Sequence, residues 1–325
     1  MEHKLIISPA PHIHSNNSID KCMWNVIIAM TPALLVSVVV FGFSALLILL
    51  VSVVACIATE WLIEKFLFKR KPMISNGSAI ITGILLALNL PNLLPWWIVV
   101  IGAVVAIGIG KMSFGGLGHN IWNPALVGRV FLLLSFPAAM TTWDSSIRTG
   151  VKAADAITGA SSDASTGATL LSAMKTDPTG IDITASDWWN LLIGNMNGSL
   201  GEVGAIAILI GLIYLLITKV ITWHIPISII LTTMIFSWIL DYNPLLEVLS
   251  GGLLLGAVFM ATDYVTSPMT KLGQIIYGIG IAVITIIIRR FGSYPEGVSF
   301  AILLMNSFTP LINKYCKPHR FGERR

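Results

Sequence analysis

Charged side chains are scarce: Asp, Glu, Lys and Arg together make up 11% of 325 residues. A soluble domain carries about 25%, so this chain lacks the polar surface that water requires. With 55% hydrophobic residues and a mean hydropathy of +0.83, it suits a bilayer. Cysteine is scarce too. Cys22, Cys56 and Cys316 include no C-x-x-C pair, which excludes a disulfide framework or a cysteine-ligated iron–sulfur cluster within this chain alone. No G-x-G-x-x-G turn follows a strand, so dinucleotide binding is not intrinsic either. A cleaved signal peptide is not expected, because Met1 to Lys21 is polar and contains His3, His12, His14 and Asp20 instead of an early apolar core. The net charge of +4 comes from short loops and the C-terminus, so it reads as a topology signal and implies no nucleic-acid partner.

Long apolar runs are what the chain does have. A spanning helix takes about 20 mostly apolar residues. That length predicts spans at Trp24–Gly42, Ala45–Leu67, Ile74–Leu90, Leu94–Met112 and Ile121–Phe136. After a polar stretch follow Val203–Ile217, Ile221–Leu240, Leu245–Ala261, Leu272–Ile288 and Val298–Ile312. The expected fold is an all-α polytopic membrane protein of about ten transmembrane helices, in contact with the lipid bilayer throughout.

Lys and Arg set the expected orientation. With the N-terminus in the cytoplasm, 15 of the 20 basic residues fall inside, including Lys69, Arg70, Lys71, Lys111, Arg129 and the tail from Lys314 to Arg325. Outside fall Arg289 and Arg290, together with Arg148, Lys152 and Lys175 in the long loop, where charge weighs little. Both termini are therefore expected in the cytoplasm and the loop outside. The adjacent pair Arg289–Arg290 stands against this.

The two halves resemble each other. Ser75-Asn76-Gly77 and Ser250-Gly251-Gly252 open the third and eighth spans. Ala87-Leu88-Asn89 matches Ala261-Thr262-Asp263, and Ser135-Phe136-Pro137 matches Ser307-Phe308-Thr309-Pro310. All three matches are offset by 172 to 175 residues. Five helices per copy make the second run opposite to the first, the inverted-repeat plan. The chain divides into 1–136, a first five-helix repeat, 137–202, one long extracytoplasmic loop, and 203–325, a second repeat with a tail.

Within the loop stands Asp163-Ala164-Ser165-Thr166-Gly167-Ala168-Thr169. The pattern D-x-x-[S/T]-G-A-T resembles the substrate motif of bacterial flavin transferases, which cleave FAD and leave FMN on the last threonine as a phosphoester. The residue types fit that chemistry. A hydroxyl is needed to attack phosphorus, and Thr169 supplies it. Small neighbours, Gly167 and Ala168, let the backbone enter another enzyme's site, and Asp163 would orient the segment or help hold the metal of the pyrophosphate. Such a pattern arises by chance in a chain of this length roughly once in a thousand.

With this motif, Gly118-His119-Asn120-Ile121-Trp122-Asn123-Pro124-Ala125-Leu126-Val127-Gly128-Arg129 and Phe259-Met260-Ala261-Thr262-Asp263-Tyr264-Val265-Thr266-Ser267-Pro268, nearly the whole chain resembles one family. It is the D subunit of the Rnf ion-translocating oxidoreductase complex, whose close relative is the B subunit of sodium-translocating NADH:quinone reductase. Only about twenty residues precede the first span, which favours the Rnf type. The resemblance implies a multi-pass subunit of the bacterial inner membrane that takes part in electron transport coupled to ion transport. Iron–sulfur and flavin subunits would be its partners, and a flavin transferase would act on it during maturation. The active site would not be complete in this chain.

The resemblance also implies a non-covalent riboflavin near Asn120, Asn123, Arg129 and Asp263. Asn side chains can match the donor and acceptor edge of the isoalloxazine. Capping by the Asn residues, an interior ion pair for Arg129 and a helix end at Asp263 are the plainer readings. A passive solute channel on the same inverted-repeat scaffold is the alternative from another class, and it leaves the loop motif without a purpose. A purely structural anchor explains neither motif nor repeat.

Overall fold

The structure, a computed structural model, describes residues 18–70, 74–142, 171, 185–194, 198–202, 204–292, 294 and 296–317. Every element among the described residues is helical. Helix α1 (Ile19–Phe41) starts where the Ser18 hydroxyl accepts from the Lys21 N–H at 3.2 Å, and it ends at Gly42. Gly42 has φ +71°, a left-handed conformation that glycine adopts without strain. The chain turns there directly into α2 (Phe43–Leu62), which a π-helical turn extends through Ile63–Leu67. Phe43, Leu47, Leu50 and Val54 of α2 are exposed, whereas Ser52, Cys56 and Glu60 are buried. An apolar exterior over a mixed interior is the membrane arrangement.

Helix α3 (Ser78–Leu88) is different. Its 11 residues reach only about 16 Å, half of a hydrocarbon core. All but Ile80 and Ile81 are buried. A helix apolar all round is surrounded by protein, not by solvent or lipid on one side. α3 lies directly on α2: a Cβ at Gly83 would fall 2.7 Å from Val53 Cα, and Ser52 Oγ donates to the Gly83 carbonyl at 2.8 Å.

After α3 come α4 (Trp96–Gly108), α5 (Pro124–Ser135), with Pro at its first position, the short α6 (Pro137–Met140) and α7 (Ala185–Ile193). Then follow α8 (Ala205–Ile217), α9 (His224–Ile239), α10 (Pro244–Leu249), α11 (Leu253–Leu255) with its π-helical extension Gly256–Met260, α12 (Lys271–Phe291) and α13 (Val298–Tyr315). α2 packs on α3 and α4, α4 on α5, α9 on α12, α12 on α13, and α1 crosses α8.

Among the described residues, four helical stretches are long and apolar enough to cross a membrane: Ile19–Phe41, Phe43–Leu67, Trp96–Phe114 and Lys271–Phe291. The chain is thus a polytopic membrane protein. The expected third and eighth spans are not continuous. The third stops at Leu88, and the eighth is broken at Ser250–Gly252 into α10 and α11.

Candidate functional site

Polar side chains concentrate at two places in this apolar bundle. The first gathers around the start of α3. Asn76 Oδ1 accepts from the Ser78 N–H at 3.0 Å and from its hydroxyl at 2.8 Å. Lys111, in the connection after α4, reaches Ser78 Oγ at 2.7 Å and both oxygens of Glu60 at 2.8 and 2.7 Å. Lys111 and Glu60 are only 2% and 3% exposed. Their charges cancel within the protein, which a buried pair must achieve to be tolerated.

Beside this pair lies a cavity. Asn120, Asn123, Asp263 and Lys111 belong to its polar lining, and Ile81, Leu85, Val258 and Phe259 are among its apolar walls. Asn123 caps α5, its Oδ1 accepting from the Ala125 N–H at 3.1 Å, while its Nδ2 donates to the Met260 carbonyl at 3.2 Å. Asn120 sits in the preceding loop, where its amide donates to the Trp122 carbonyl at 3.1 Å and also bonds Asp263. The capping reading of Asn123 therefore holds, and both amides also face the cavity. Asp263 closes a helix end, as its sequence context allows, with the Thr266 hydroxyl on its carboxylate at 3.2 Å. Burial pushes its carboxyl above the ordinary range, against hydrogen bonds from Thr266, the Val265 N–H and Asn120 and the charge of Lys111.

A second layer holds these groups. With the Asn306 amide oriented to satisfy its neighbours, its oxygen accepts from the Asn123 N–H at 3.2 Å and its nitrogen donates to Tyr277 Oη at 2.5 Å. Asn306 and Tyr277 are buried in α13 and α12.

Arg129 does not line this cavity. It belongs to the second polar cluster, toward the far end of α3. Its Nη1 donates to Asn89 Oδ1 at 2.9 Å and to Ser299 Oγ at 2.6 Å, and the guanidinium forks onto Glu296. Gly252, at the start of α11, adds a backbone N–H to Glu296 at 3.2 Å. Next to it Arg289 is buried on Glu247 at 2.7 Å and also donates to the carbonyls of Glu247 and Ser250. Arg290 binds the other oxygen of Glu247. The ion pair expected of Arg129 is present, and Arg289 and Arg290, the objection to the charge count, share the single carboxylate of Glu247 inside the protein.

The loop residues Asp163, Thr166, Gly167, Ala168 and Thr169 lie outside the described residues. Leu171, two positions after Thr169, is buried; a Cβ on Gly251 would come within 3.2 Å of its Cδ2. Sequence reasoning missed Glu60, Asn89, Glu202, Glu296 and Asn306. The carboxylate of Glu60 inside an apolar run was a usable signal. Asn89 and Asn306 give none, since only the fold brings them to charged or polar partners.

Residues 6–322 match a family model described as the NQR2, RnfD, RnfE family. The chain is 45% identical over 322 residues to the D subunit of the Na(+)-translocating ferredoxin:NAD(+) oxidoreductase complex of Acetobacterium woodii, covering 99% of this chain and 96% of that protein. It is 42% identical over 332 residues to the D subunit of the proton-translocating ferredoxin:NAD(+) oxidoreductase complex of Clostridium ljungdahlii, covering 98% and 96%. Against the D subunit of the ion-translocating oxidoreductase complex of Stutzerimonas stutzeri it is 38% identical, covering 94% and 93%.

Proposed function

The chain belongs to the NQR2, RnfD, RnfE family, and from that premise we propose that it is the D subunit of an Rnf-type ion-translocating ferredoxin:NAD+ oxidoreductase complex, with FMN esterified to Thr169. The observation that carries the reading is the Asp163–Thr169 motif within a chain alike over its full length to such subunits. Iron–sulfur and flavin subunits then deliver and remove electrons, since this chain has no cysteine set or dinucleotide turn for either task. The esterified cofactor moves electrons one or two at a time when bound. The chain's own task is to fix its attachment point and surroundings.

The cavity beside Asn120 is our candidate for a non-covalent riboflavin. Its residues fit a ring system of that kind: apolar walls for the faces, and amides for the polar edge. Asn120 and Asn123 each carry two amide hydrogens and an oxygen with two lone pairs. The bonds within the protein leave Asn123 one N–H and one lone pair for a ligand. Lys111, neutralised by Glu60, would orient the edge without presenting a net charge. Leu85 and Phe259 would exclude water from the ring. Because Asn123 is also a cap, the informative replacement is Asn123→Asp, which retains the capping oxygen and loses the donor. Together with Asn120→Leu it is expected to strip acid-extractable flavin from the complex while covalent flavin stays. Unchanged extractable flavin in an intact complex would return both residues to a structural role.

We read the architecture as two inverted five-helix repeats in the bacterial inner membrane, both termini cytoplasmic and the 137–202 loop outside. What supports the repeat is a correspondence of buried pairs. Lys111 ties the end of α4 to Glu60 of α2 and to the start of α3. Arg289 ties the end of α12 to Glu247 of α10 and to the Ser250 carbonyl, just ahead of α11. In each half a buried cation near the end of a helix is thus paired with a carboxylate and reaches the start of a short helix.

A further inference from the structure

The second polar cluster holds three arginines and three glutamates, unevenly matched. Glu247 of α10 takes both Arg289 and Arg290 of α12. Arg129 of α5 is left to serve two carboxylates, and its fork is committed to Glu296, between α12 and α13. Among the described residues, Glu202 therefore has no cation of its own. It lies in the connection ahead of α8, outside the spanning helices, and accepts from the backbone N–H groups of Ser199 and Gly251. Gly252, the next residue, donates to Glu296 at 3.2 Å. Consecutive amides thus hold the two carboxylates side by side, a backbone concavity of the sort that gathers negative charge. One residue earlier, the Ser250 hydroxyl is buried with no hydrogen-bond partner among the described residues.

We propose that Glu202 and Glu296 form a proton-binding site, in which one proton, taken from water, sits on a Glu202 oxygen while Arg129 neutralises Glu296. Two like charges sharing one guanidinium cannot both remain ionised cheaply. The Glu296 side chain is 15% exposed, and the proton exchanges through that opening. The hydroxyl of Ser250 extends the polar path beside it. Burial pushes the Glu202 carboxyl up to about 7, with the Glu296 charge as the next cause. Burial opposes the Glu296 charge as well, but Arg129 outweighs it and holds that carboxyl below its ordinary range. Among the described residues, the charged groups around the pair are Arg129, Arg289, Arg290 and Glu247, and of these cations Arg129 alone acts on Glu202. The site is independent of the flavin reading and gives the protein a group that changes charge near neutral pH, where the 137–202 segment joins the bundle.

The sign of the pH dependence follows from that shift. Between the ordinary value of 4.5 and about 7 the folded chain binds more protons than the unfolded one, so stability falls as pH rises through that window and is level above it. The test uses the purified full-length chain in detergent, titrated by infrared spectroscopy. A carbonyl band of a protonated carboxylic acid is expected to disappear with a midpoint near pH 7 and to be missing in Glu202→Gln. Glu296→Gln, which frees Arg129 for Glu202, should lower that midpoint by about one unit or more. It provides the second readout if Glu202→Gln does not fold. A wild-type chain without such a band, a band unchanged by Glu202→Gln, or a midpoint unmoved by Glu296→Gln would overturn the proposal.

Discussion

Lys111 shows what a single residue does in this protein. Counted along the sequence it is one more cytoplasmic cation. In the fold it is a buried partner of Glu60 that also holds Ser78 at the mouth of the cavity. Removing one member of a buried pair strands the other charge, at a cost of about 3–5 kcal/mol. Lys111→Met should therefore lower the thermal transition of the detergent-solubilised chain sharply. Adding Glu60→Gln should recover most of the loss, because a neutral amide is far cheaper to bury than a lone carboxylate. Equal damage from the single and double variants would mean that the pair matters for something other than charge balance. Arg289 teaches the same lesson from the other half. The sequence puts it on the wrong side of a charge count, but Glu247 and the Ser250 carbonyl absorb it. Residue identities were legible in the sequence, whereas pairings across about 40 to 170 residues (Arg289 with Glu247, Arg129 with Glu296) needed the fold.

At the scale of elements, hydropathy set out ten expected spans, and among the described residues four helical stretches are long and apolar enough to cross a membrane. Ile74–Leu90 is apolar enough to span, but only Ser78–Leu88 is helical in α form. Composition cannot separate a helix that faces lipid from one enclosed by protein, because both avoid charge. The Ser-Gly-Gly at 250–252 marks an interruption legible in the sequence, and there the eighth span divides into α10 and α11. Close approach makes α3 testable. Gly83→Ala places a methyl 2.7 Å from Val53 Cα, where backbone cannot yield as a side chain can. The expected loss is about 1–3 kcal/mol, read as a lower thermal transition. Flavin attached in the 137–202 loop should be unaffected. An unchanged transition would show that α2 and α3 separate freely. Among the site residues, Asn120, Asn123 and Asp263 were legible and share the cavity, because they fall near the ends of α5 and of the π turn that meet there. Arg129, six residues after Asn123, extends along α5 to the other cluster instead.

For the whole molecule, long apolar helices suited to crossing a membrane enclose shorter helices that carry buried charge at their ends. Reporter fusions at Lys69 and at the C-terminal tail are expected to report the cytoplasm, and one at Ser162 the opposite side. A fusion after Arg290 that reports the same side as one after Lys71 would contradict the ten-helix reading. The covalent cofactor is tested by flavin fluorescence of the denatured band, together with the mass of the peptide containing Thr169, from cells that supply a flavin transferase. The wild-type chain should fluoresce and carry FMN on that peptide. Thr169→Val, which keeps the shape but removes the nucleophile, should insert normally and be dark. A fluorescent Thr169→Val band, or an unmodified wild-type peptide from cells that flavinylate other proteins, would contradict the account.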